Sequence, residues 1–61
     1  MATLTTKELD VIKSTLTDEE NVIAKYKMYA SYTCDPVIKE KLNCIAQKHQ
    51  QHFDKLINLL Q

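Results

Sequence analysis

Three residues of this 61-residue chain bring metal-ligating and proton-carrying atoms to positions where a helix would bury apolar side chains: Glu19, His49 and His52. A seven-residue repeat through the first half reads Leu9, Ile12, Leu16, Glu19, Ile23, Tyr26, Ala30. The same repeat through the second half reads Ile38, Leu42, Ile45, His49, His52, Leu56, Leu59. Each seam is apolar except at one level, where the first has a carboxylate and the second two imidazoles. A polar group buried on a helix seam costs free energy unless it is paired or ligated. The three side chains therefore either satisfy one another or bind something.

The elements that must position them follow from composition and punctuation. The chain has no Gly and one Pro, and 44% of its residues are hydrophobic. With almost nothing to interrupt a helix, an all-α fold of long helices is expected. Thr5-x-x-Glu8 is a capping-box pattern ahead of the first seam. It predicts a helix over 6–32. Thr17-x-x-Glu20 repeats the pattern and offers a break near Leu16, but the apolar repeat continues in phase across it. Asp35-Pro36 marks the restart. Proline disfavours helical geometry in the residue before it and suits the first position of a helix, so Asp35 becomes the N-cap. The expectation is a turn over 33–35 and a second helix over 36–60, in one domain spanning 1–61. A connection this short makes the two helices antiparallel neighbours.

The turn sets the register. Glu19 lies 15 residues before Cys34, and His49 and His52 lie 14 and 17 after Asp35. Folding the chain there puts Glu19 opposite the His49–His52 turn. Residues three apart on a helix share a face, so both imidazoles can address one point. The apolar set is also wider than a two-stranded seam, with Val22 and Tyr29 flanking the first and Ala46, Phe53 and Leu60 the second. That width calls for further neighbours. Two copies pairing about a two-fold axis into a four-helix bundle would supply them. Were His52 rotated outwards, Phe53 would take its core position.

Two chemistries suit such a layer. A Glu–His pair satisfied by hydrogen bonds needs no cofactor, and this is the simpler expectation. Alternatively Glu19, His49 and His52 ligate a divalent metal, Zn or Fe. In plan they are similar to ferritin-like carboxylate sites, which join a Glu to a Glu-x-x-His. His49 stands where that pattern has Glu. Loss of a carboxylate shifts preference towards Zn, Cu or Ni and away from oxygen-activating di-iron chemistry.

Much else is excluded. Lys+Arg and Asp+Glu number 8 each, so the net charge is zero and leaves no basic footprint for nucleic acid or an anionic membrane. The lysines are interspersed and read as a solvated face. No apolar run is long enough to span a bilayer. Met1-Ala2-Thr3-Leu4 lacks the features of a secretory signal, so a cytoplasmic location is expected. Cys34 and Cys44 have neither metal-finger nor redox-motif spacing. No phosphate loop or catalytic triad is present, and no catalytic residue is assigned.

A resemblance adds to this reading. Leu4-x-x-Lys7-Glu8-Leu9, then Glu19 with Tyr26 seven residues on, then Asp35-Pro36-Val37-Ile38-Lys39-x-x-Leu42, then a His-rich segment before Leu59-Leu60, resemble the spore coat protein F family. The likeness runs from Leu4 to Leu60. It implies a ferritin-like fold and a non-enzymatic, self-associating protein of the spore coat or of sporulation, with itself and other coat proteins as partners. More distantly, Glu19, Tyr26 and His52 are similar to the first helix pair of rubrerythrin. There Glu19 and His52 would match metal-site positions, and His49 would depart from them.

Overall fold

Helix α1 (Thr6–Tyr32) and helix α2 (Pro36–Asn58) pack against each other, and there are no strands among the described residues. The structure is a computed structural model describing residues 3–61. Met1 and Ala2, part of the stretch read as lacking a signal, lie outside the described residues.

The start of α1 is fixed by a reciprocal cap. The Glu8 amide donates to Thr5 Oγ1 at 3.1 Å, and the Thr5 amide donates to Glu8 Oε1 at 2.9 Å. These bonds satisfy donors that a helix start leaves free. The Thr5 backbone bond, and then its hydroxyl, hold the Glu8 carboxyl below its ordinary pKa. A carboxylate depressed in the folded state stabilises it above the unfolded pKa. That contribution is lost as pH falls through the folded value.

The second capping pattern does not interrupt the helix. Thr17 Oγ1 donates to the Lys13 carbonyl at 3.2 Å, and Thr15 Oγ1 to the Val11 carbonyl at 2.8 Å. Both hydroxyls are engaged one turn back along α1, so Thr17 is unavailable as a cap.

The connection is equally economical. The Thr33 amide donates to the Tyr29 carbonyl at 3.3 Å, closing α1. The Asp35 amide donates to Thr33 Oγ1 at 3.2 Å. Asp35 Oδ1 accepts from the amides of Val37 and Ile38 at 2.9 and 3.2 Å, opening α2. No residue here has a positive φ, so the turn needs no glycine. Replacing Asp35 by alanine is expected to cost about 1 kcal/mol, the usual worth of such a cap. Urea unfolding followed by far-UV circular dichroism measures this. An unchanged midpoint would show that the cap contributes nothing.

Helix α2 ends at Asn58, two residues short of the expected 60. Its last turn tightens. The Leu59 amide bonds the Leu56 carbonyl at 3.1 Å, and the Leu60 amide bonds the Ile57 carbonyl at 2.9 Å. With no glycine to form a left-handed cap, these shorter bonds satisfy the final carbonyls.

On α1 the seam is as the repeat predicts. Ile12, Leu16, Ile23 and Ala30 are buried, and Leu9, Glu19 and Tyr26 are partly so. On α2 the seam runs along a different line: Leu42, Ala46, His49, Phe53 and Leu56. Ala46 is its most buried member, 2% exposed, while Ile38, His52 and Leu59 are exposed. The expected placement of His52 on the buried seam is therefore corrected. A straight helix drifts about 20° per heptad against a strict seven-residue repeat. Ala46 and Phe53 move inwards, and the row Ile38, Ile45, His52, Leu59 turns towards one flank.

The two long sides of the hairpin consequently differ. One is bordered by Glu20, Lys27, Asn43, Gln47 and Gln50, over a floor that includes Ile23, Ala46 and Phe53. The other carries the α2 row Ile38, Ile45, His52, Leu59. Leu59 shares a groove with Leu4, which precedes α1, and with Lys7, Glu8 and Val11 near the start of α1. Farther along α1, Tyr29 stands edge-on to Tyr26, which connects the same side to His49. This second side leaves the apolar side chains of Val11, Tyr29, Ile38 and Leu59 exposed.

Candidate functional site

Glu19 lies at the midpoint of α1, and His49 and His52 lie just past the middle of α2. The turn caps set the register that brings them to one level. One ligand atom from each of the three residues lies within 4.8 Å of the other two. The level expected from the register of the turn is thus formed. The three residues do not occupy it equally.

Glu19 is the inner member, with its side chain 15% exposed. His49 is 31% exposed and His52 56%. His49 Nδ1 lies 2.7 Å from Glu19 Oε2, a charge-assisted hydrogen-bond distance. An ionised carboxylate only accepts, so Nδ1–H of the imidazole donates. His52 Nδ1 lies 3.6 Å from the other oxygen, Oε1. That is an ion-pair distance when His52 is charged, but too long for a direct hydrogen bond. The carboxylate therefore has one oxygen engaged by His49 and one turned towards His52.

The rings hold this arrangement. Tyr26 lies parallel to His49, with centroids 6.5 Å apart and planes 3° from parallel. His49 and His52 meet edge to face, with centroids 5.4 Å apart and planes at 83°. The seven-residue repeat places Tyr26 on the apolar seam of α1. Its position one heptad beyond Glu19 was the sequence signal that it borders this layer, but the stacking partner depends on how α2 is rotated.

A metal must fit these distances. Zinc ligands at about 2.0–2.2 Å in a tetrahedron stand about 3.3–3.6 Å from one another. The 3.6 Å between His52 Nδ1 and Glu19 Oε1 meets that spacing; the 2.7 Å between His49 Nδ1 and Glu19 Oε2 is too short for two ligands of one ion. The geometry thus favours Glu19 and His52 as a ligand pair and His49 as their hydrogen-bonded support. The 2.7 Å bond satisfies His49 Nδ1 and Glu19 Oε2 without an ion, and no buried side-chain polar atom among the described residues lacks a partner.

The cysteines play no part in this level. Cys34, in the turn, and Cys44, on α2, are both exposed free thiols. No helix among the described residues is long and apolar enough to cross a membrane. Compared with protein-family models, curated proteins and solved structures, the chain matches none.

Proposed function

We propose that this chain is a non-enzymatic, self-associating module whose unit is a homodimeric four-helix bundle built on the open apolar side. The observation that carries the reading is surface area. A compact monomer of 7.1 kDa exposes about 4,100 Å² by the usual size scaling. The hairpin exposes 4,834 Å². The excess, about 700 Å², means that the hairpin alone buries less of its surface than a compact monomer of this mass.

The exposed residues support the same reading. Val11 is 65% exposed, Ile38 48% and Leu59 51%, whereas the buried core contains only three large side chains among the described residues, Ile12, Leu16 and Ile23. A second copy would cover the first group and enlarge the core. Zero net charge removes the long-range repulsion that opposes self-pairing. Resemblance to the spore coat protein F family supplies a setting, the coat of a bacterial spore with other coat proteins as neighbours. The motif likeness alone supports that part of the proposal.

Sedimentation equilibrium on the untagged chain in EDTA tests the reading. The expected result is a reversible monomer–dimer equilibrium with a dimer of twice 7.1 kDa at micromolar concentration. A single monomeric species over the whole accessible range would overturn it.

A metal-binding bundle is the second reading, favoured by the convergence of Glu19, His49 and His52. A zinc-class ion suits an imidazole–carboxylate set better than iron does.

A further inference from the structure

We propose that two copies share one zinc-class divalent cation at the centre of their interface, held by Glu19 Oε1 and His52 Nδ1 from each copy, with His49 as a positioning residue. The inference rests on the self-association reading, because one hairpin supplies only half the ligands.

Three observations lead to it. The first is the pair of distances at Glu19. The Oε1-to-His52 separation of 3.6 Å already suits two neighbouring ligands of a tetrahedral ion. The Oε2-to-His49 separation of 2.7 Å suits a hydrogen bond that orients the carboxylate from behind. Such outer hydrogen bonds fix metal-binding carboxylates.

The second is exposure. His52 is the most open member of the cluster, and it belongs to the row Ile38, Ile45, His52, Leu59 on the apolar side. It is a polar residue in a row whose other members, Ile38, Ile45 and Leu59, are apolar. In a dimer without an ion, that imidazole would lose water and need a new partner. A metal shared with the second copy satisfies it.

The third is position and charge. Glu19 is the middle residue of α1, and the hairpin is a rod 46 Å long. Two hairpins overlapping along their full length, parallel or antiparallel, bring their middle levels together. Two Glu19 carboxylates then neutralise one divalent ion, whereas two ions would leave two positive charges uncompensated. One ion per pair is therefore the favoured stoichiometry, with two imidazole nitrogens and two carboxylate oxygens around it. Zinc accepts this set in a tetrahedron.

The tests use the full chain, with Zn²⁺ alone as the probe. Calorimetric titration is expected to give half an ion per chain. Sedimentation equilibrium is expected to show the dimer tightened by zinc, as linkage requires, with a dissociation constant about tenfold lower than in EDTA at zinc concentrations about tenfold above the ion's own dissociation constant. His52→Ala should remove the zinc effect, and with the unpartnered imidazole gone the dimer in EDTA should be at least as tight as that of the parent chain. His49→Gln keeps a hydrogen-bond donor towards Glu19, and should retain half an ion per chain at reduced affinity.

The outcomes separate the two proposals. A dimer in EDTA that takes up no zinc, or takes it up without tightening, overturns the shared site and leaves self-association standing. A chain monomeric under both conditions overturns both. A chain monomeric in EDTA but dimeric with zinc supports the site and overturns the metal-free dimer. An equal zinc response in His52→Ala, or one full ion per chain, overturns the ligand assignment.

Discussion

Leu16→Ala is expected to lower stability by about 2–4 kcal/mol, the cost of deleting buried methyl groups where the surroundings collapse incompletely. Leu16 is one of three large side chains buried among the described residues. The whole fold is expected to be worth only about 3–9 kcal/mol at this chain length. One truncation therefore removes a large fraction of the total and leaves a substantial unfolded population at physiological temperature. Urea unfolding at fixed protein concentration, read by far-UV circular dichroism, measures the loss. Tyr32→Ala is the reference; that side chain is 77% exposed, and its loss should change stability by no more than about 0.5 kcal/mol. A Leu16→Ala loss as small as the Tyr32→Ala loss would show that the α1 seam is not the core.

Ile38→Glu and Leu59→Lys are expected to act on association while sparing the hairpin. Both side chains are about half exposed in one copy. Ile38 is the third residue of α2, where a carboxylate is favoured by the helix dipole, and Leu59 follows the C-terminus, where a lysine is favoured. In the dimer, each substitution instead exposes or charges an apolar contact twice. Losing about 1.5 kcal/mol of burial per copy amounts to about 3 kcal/mol, or roughly a hundredfold in dissociation constant. Sedimentation should show each single variant shifted to monomer with unchanged helicity. The double variant reads the pairing direction. In an antiparallel pair the level of Ile38 meets that of Leu59 in the other copy, so Glu and Lys attract and association recovers in part. In a parallel pair like charges meet, and association is weaker still. Single variants that dimerise like the parent chain would exclude this side as the interface.

The elements of this fold were legible because their signals are local. The Thr5–Glu8 box and the Asp35-Pro36 cap are short-range chemistry, and they set the start of both helices without reference to the rest of the chain. The level shared by Glu19 and His49 was legible too, because residue counts from a tight turn fix axial height. Rotation was not. Whether Ile45 or Ala46, and His52 or Phe53, faces α1 depends on a drift of a few tens of degrees and on how closely a small side chain lets the helices approach. That rotation separates His49, hydrogen-bonded and half-buried, from His52, exposed on the apolar side. The equal treatment of the two imidazoles in the sequence therefore gives way to two different roles in the structure.

The ring geometry around His49 has a spectroscopic consequence. The chain contains two histidines and three tyrosines, and no tryptophan. The Tyr26 ring lies parallel to His49, whereas His52 meets the edge or face of His49 at nearly a right angle. Ring currents from these neighbours displace the two imidazole proton signals unequally. The protein thus carries, at its midpoint, a pair of magnetic resonance probes that can be told apart without labelling. One reports the hydrogen-bonded interior, and the other reports the surface that a second copy would cover.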